Sequence, residues 1–188
     1  MTVGIKQQRG QGLLEAVFAI GIMVMVVSAV LALTTSNVIG QRQSELQVVG
    51  NNLAREGLEV IRNIRDSNWL SGTNWDAGLV GGSEALVVFS EANNSWELDF
   101  NIVPGKDRLY LSTSGVYSHD PALGQPSLFS RRIGLQSICQ NSDGEDLIKT
   151  SCDSGEQKIG LKARSVVTWQ ESGRNRQVAV EALMYEWK

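Results

Sequence analysis

Gly10-Gln-Gly-Leu-Leu-Glu15-Ala-Val-Phe-Ala-Ile20-Gly-Ile-Met-Val-Met25-Val-Val-Ser-Ala-Val30-Leu-Ala-Leu33 is the stretch whose reading decides the fold. No charged side chain occurs from Ala16 to Gln41, and the apolar run Ala16 to Leu33 has about the length that a bilayer-spanning helix requires. Lys6 and Arg9 precede it, and the next basic residue is Arg42. Basic residues at the short end hold that end in the cytoplasm, so the sequence predicts a single-pass inner-membrane segment with everything after Leu33 outside.

Glu15 breaks the pattern of a plain anchor. A carboxylate at the entrance of hydrocarbon costs a few kcal/mol unless it is paired, so it marks a functional site. A cut after Gly10 would make Gln11 a new N-terminus, with its α-amine one helical turn from Glu15. A shorter apolar core followed by a small-residue cleavage site would mark an ordinary secretory signal, and a simple signal anchor gives no reason for this Gly10 and Glu15 spacing.

A basic leader, Gly10, and a hydrophobic helix with Glu15 as the fifth residue after the glycine together resemble the class III signal of the type IV pilin and pseudopilin family. The resemblance implies a leader of residues 1–10 and cleavage by a prepilin peptidase between Gly10 and Gln11. It also implies N-methylation of Gln11, and a role for Glu15 in assembly through pairing with the amine of a neighbouring subunit. Gln11 and Gly12 stand where the family more often has Phe and then Thr or Ser.

The helical pattern continues past the apolar run. Leu46, Val49, Leu53, Gly57, Val60 and Ile64 recur every three or four residues, while Glu45, Arg55, Glu56, Glu59, Arg62 and Arg65 fall mostly elsewhere. The spacing predicts one helix from about residue 12 to 65, a membrane and assembly half (11–41) and an amphipathic half (42–66). Gly40, Gly50 and Gly57 weaken it by up to about 1 kcal/mol each relative to alanine. Asp66, Ser67 and Asn68 are expected to terminate it.

Residues 67–188 read as a β-rich exported domain. Residues 71–83 form a loop, with Trp69 and Trp75 as clamps onto the domain. Short strands are expected over 85–89 and 96–102, the latter with Trp96, Leu98, Phe100 and Ile102 on one face. A turn at 104–107 would return 108–113 antiparallel, and 114–125 reads as an irregular surface excursion containing His119 and Asp120. A strand at 131–138 and a terminal hairpin of 158–170 with 176–187 complete the chain. The fold class is therefore α+β, a long N-terminal helix packed on an antiparallel sheet. The run Asn52 to Leu70 resembles PilV-like minor pilins, and the terminal hairpin looks like the end of PilV-like and GspI-like minor subunits.

The formal charge is −3 and falls to −5 without Lys6 and Arg9, which argues against a nucleic-acid surface. One histidine and two cysteines leave little for a metal centre or a nucleophile–base pair, so no catalytic residue, metal ligand or cofactor is assigned. In an exported domain Cys139 and Cys152 favour a disulfide worth around 3 kcal/mol, with two free thiols as the alternative. Asn141, Asp143, Gly144, Glu145, Asp146, Asp153 and Glu156 form an acidic loop that lacks the spacing of a helix-loop-helix calcium site. Asn93-Asn94-Ser95 matches a glycosylation triplet.

The family resemblance implies a minor type IV pilin whose partners are other pilins, the prepilin peptidase and an inner-membrane assembly platform. It would move from the membrane to an extracellular filament or the cell surface. A minor pseudopilin of a type II secretion system has the same mechanics, and a membrane-anchored binding domain or adhesin is the reading from a different class.

Overall fold

The structure, a computed structural model, describes residues 11–186. It is α+β: one long N-terminal helix and an antiparallel sheet. The chain divides after Leu46 into two units. Helix α1 (Gln11–Leu70) supplies all of the described part of the first unit and the opening element of the second.

From Leu13 to Ile39 the helix carries apolar side chains on every side and is exposed on every side. Leu13, Phe18, Ile22, Met25, Leu31 and Ile39 all show more than half of their surface. Helix sides without a polar face belong in lipid or against other helices. This helix is long and apolar enough to cross a membrane.

The second unit is built on β5 (Gln125–Gln140), which is paired from Phe129 to Gln140 by β7 (Gln157–Glu171). β7 in turn pairs with β8 (Arg174–Tyr185). Three strands share the other side of β5 in succession. They are β3 (Arg108–Leu111) at its start, β1 (Glu84–Ser90) at Ile133 and Gly134, and β6 (Asp146–Lys149) at its end. β2 (Ser95–Asp99) extends β1, and β4 (Tyr117–Ser118) extends β3.

Leu53, Ala54, Leu58 and Ile61 of α1 are buried, and Leu58, Val60 and Ile61 share one core with Ile133, Leu135, Leu161, Ala163 and Met184 of the sheet. Two glycines let the helix come close. A β-carbon on Gly50 would lie 2.9 Å from the Trp169 ring, and one on Gly57 would lie 2.7 Å from Ser165 Oγ. Two of the three glycines that weaken the helix in isolation, Gly50 and Gly57, thus seat it on the sheet.

Several expectations are corrected. Asp66, Ser67 and Asn68 do not end α1. It runs on to Leu70 and stops in a Schellman motif, with Gly72 at φ 69° donating to Trp69 O (3.1 Å) and Thr73 N–H donating to Asn68 O (3.0 Å). The Asn68 side chain instead donates to the carbonyls of Trp75 and Ala77, tying the following loop to the helix. Trp75 is buried as a clamp should be, but Trp69 is 61% exposed. Strand β3 does not return on β2. It crosses to β5 because β2 pairs with β1, whose register Leu86↔Asp99 to Ser90↔Ser95 forms a local hairpin. The excursion 114–125 contains β4, and β5 begins at Gln125 rather than near 131.

The terminal hairpin forms as the alternation indicates. Its turn is Ser172-Gly173 with φ values of 48° and 76°, the two-residue mirror-image turn whose twist matches the flanking strands.

Candidate functional site

Glu15 lies on α1, one turn from its first described residue, and is exposed. Among the described residues it has no hydrogen-bond or ion-pair partner. Gly10 lies outside the described residues; Gln11 opens α1. Three hydroxyls of the apolar helix are satisfied within it. Ser28 Oγ donates to Val24 O (2.7 Å), and Thr34 and Thr35 donate to Val30 O and Leu31 O (2.9 Å each). Such bonds to the preceding turn let hydroxyls sit in hydrocarbon. Glu15 has no equivalent, because a carboxylate has no proton to donate to a carbonyl of the preceding turn.

Cys139 and Cys152 form a disulfide with Cα atoms 5.5 Å apart. Cys139 is buried, continuing the inward series Phe129, Arg131, Ile133, Leu135 and Ser137 of β5, and the β5–β7 register shifts beside it, where Ile159 of β7 is passed over between Ile138↔Gly160 and Cys139↔Lys158. The acidic loop is internally matched. Lys149 Nζ lies 2.6 Å from both Asp153 Oδ2 and Glu156 Oε1, raising the Lys149 pKa and lowering that of Glu156. Asn141 Oδ1 accepts the N–H groups of Asp143 and Glu145, and Asn141 Nδ2 donates to Glu145. Cys139, Cys152 and Glu156 come within metal-ligating distance of one another, but the two sulfurs are bonded to each other and Glu156 is held by Lys149. The Asn93 side chain of the glycosylation triplet donates to Glu97 Oε1 at 2.7 Å, and Asn94 occupies a left-handed turn position at φ 49°.

His119, expected at the surface beside Asp120, is 7% exposed. It sits where β5 changes partner from β1 to β3, with Nδ1 at 2.9 Å from Val87 O and Nε2 at 3.1 Å from Arg131 O. The Arg131 N–H meanwhile bonds Asp107 O at 2.8 Å. A neutral imidazole has one N–H, so only one of its two carbonyl contacts is a hydrogen bond. Burial and the Arg131 cation hold the ring below its usual pKa, against the pull of the two carbonyls and of Asp107.

Arg131 itself is 1% exposed. Its guanidinium reaches α1, where Nη1 donates to Leu53 O and to Glu56 Oε1, both at 3.1 Å. Nε has no partner, and burial lowers the group's pKa while Glu56 opposes the change. The inward alternation of Phe129, Ile133 and Leu135 is the signal that could have placed Arg131 inside.

A hollow of about 310 Å³ is lined by Trp69, Leu70, Trp75 and Tyr185 together with Arg65, Asp66 and Glu186. No family model, no curated protein and no solved structure matches this chain.

Proposed function

We propose that this chain is a minor type IV pilin. It is made as an inner-membrane prepilin with its N-terminus in the cytoplasm, cut between Gly10 and Gln11, and then packed through α1 among other pilins. Its work is to initiate, assemble or tip a filament, and no catalysis is assigned to it. The observation that carries this reading is Glu15, a carboxylate without a partner among the described residues, set at the start of a helix otherwise apolar on all sides.

A lone carboxylate there is costly, and an α-amine on a neighbouring helix removes the cost for both charges. The amine of Gln11, freed by the prepilin peptidase and N-methylated, is such a group. The satisfied hydroxyls of Ser28, Thr34 and Thr35 support a helix suited first to lipid and then to a helical bundle. The disulfide supports an oxidising, exported setting for the sheet unit.

Intact-mass measurement of the protein from native membranes tests the reading. Loss of residues 1–10, with or without one methyl group, is the expected result. A mature protein that retains Met1 through Gly10 would leave a membrane-anchored sheet domain in place of a pilin.

A further inference from the structure

Strand β8 is an edge of the sheet, pairing with β7 and with no other described strand. Glu186 N–H bonds Ile159 O at 2.8 Å, and the register is regular from Gly160↔Tyr185 to Glu171↔Arg174. In an antiparallel pair alternate residues face the partner. The even-numbered residues of β8 therefore direct their N–H and C=O groups at β7. Gln177, Ala179, Glu181, Leu183 and Tyr185 direct theirs at the open side.

Exposed edges are normally blunted by proline, a bulge, brevity or charge. The other edges follow this rule. β4 has two residues, β6 has four with Asp146 and Lys149, and β2 carries Glu97 and Asp99. β8 has twelve residues, no proline and no bulge. Its only charge between Gln177 and Tyr185 is Glu181, already bridged to Lys162 and Arg164. On its helix-facing side Val178, Val180 and Ala182 are only half-buried, leaving an apolar ledge.

We propose that the open edge of β8 is a docking edge that takes an extended strand from a different protein chain. A row of alternating backbone donors and acceptors is complemented by another backbone. The sheet is antiparallel throughout, which favours an antiparallel guest, and the guest's inward side chains must be apolar to cover Val178, Val180 and Ala182. Charge sets its polarity. Arg174 and Glu186 end the edge, both exposed and without ion-pair partners among the described residues. An antiparallel guest therefore carries its cation near its N-terminal end and its carboxylate near its C-terminal end.

β8 has the same polarity, which makes a second copy the rival occupant. A two-fold pairing of two β8 strands would run the helical stretches 47–70 in opposite senses, whereas chains entering from one membrane share a sense. The inference survives or falls independently of cleavage at Gly10.

The test uses the full chain in detergent micelles with a synthetic twelve-residue probe, alternating valine and threonine, lysine at its N-terminal end and glutamate at its C-terminal end. Hydrogen exchange of the free chain is expected to be fast at the outward amides of Gln177, Ala179, Glu181, Leu183 and Tyr185, and slowed there on adding the probe. Ala179→Pro removes one outward N–H without touching β7, and should weaken the probe by about tenfold while the melting temperature holds. Should that variant unfold, Leu183→Lys gives the second reading by charging the edge. Outward amides as protected as the inward ones in the free chain would overturn the proposal. So would equal binding of a probe with its two charges exchanged, or a concentration-dependent dimer of the chain by sedimentation.

Discussion

Val87 and Arg131 lie two positions past Ala85↔Ile133, where the β1–β5 ladder has already ended, and their carbonyls are bridged by the His119 ring. The strands fork there, and the imidazole fills the fork. Because burial and Arg131 hold His119 below its unfolded value near 6.5, the unfolded chain takes up a proton first as the medium is acidified.

The stability due to the neutral ring is thus present above pH 6.5 and is lost as pH falls below that value. Urea midpoints measured from pH 7.5 to 5 should decline in the native protein. In His119→Asn they should decline less, from a lower starting point. Arg131, Asp107 and Asp99 are the charged groups that act on the ring. Asp99, whose pKa is lowered chiefly by Lys106, titrates below this window, so its contribution is separate.

Two of the helix glycines should separate in opposite directions. Gly40→Ala meets nothing within 4 Å and should stabilise the helix by about 1 kcal/mol. Gly50→Ala drives a methyl against the Trp169 ring at 2.9 Å, and that ring is itself packed at 5.7 Å on Phe129. It should destabilise by about 1–3 kcal/mol despite the gain in helix propensity. Thermal melts of the two variants, followed by near-ultraviolet signal from tryptophan, make the comparison.

Breaking the Arg131–Glu56 pair should cost more than replacing it. Glu56→Ala leaves the buried guanidinium with only Leu53 O, and because Glu56 is half in solvent the expected loss is about 1–2 kcal/mol. Arg131→Met removes the charge and its unpartnered Nε together and should be near neutral or stabilising. Urea titrations of both variants check the order.

Reduction of Cys139–Cys152 should lower stability by about 3 kcal/mol in the chain-entropy account, without dissolving the sheet, since β5, β7 and β8 are paired independently of it. Denaturation midpoints with and without reductant, and exchange rates in β7, report the two effects. A loss of β7 protection on reduction would show that the bridge holds more than its own loop.

The parts of this fold written locally were legible in the sequence. The three-and-four spacing of Leu46 to Ile64 marks the face that α1 buries, and the alternation of Val178, Val180 and Ala182 marks the terminal hairpin. What was not legible depends on residues far apart. Nothing near Arg108 says that it will face Ser130 rather than β2, and nothing beside Ser118 and Asp120 says that His119 will enter a fork between two other strands. The length of β5 was hidden because Pro126, Arg131 and Gly134 interrupt its apolar pattern, although each has a place in it. At the candidate site, Glu15 stood out through charge alone, whereas Arg131 required trust in alternation over residue type.

Ser28, Thr34 and Thr35 show how the apolar helix silences its own polar side chains, each lending its proton to the turn behind it. To a neighbour arriving sideways through lipid, such a surface is nearly featureless, offering fit but no address. Glu15 is the one charged mark on it from Gln11 to Gln41, so in the proposed assembly alignment between rods would be dictated from one end.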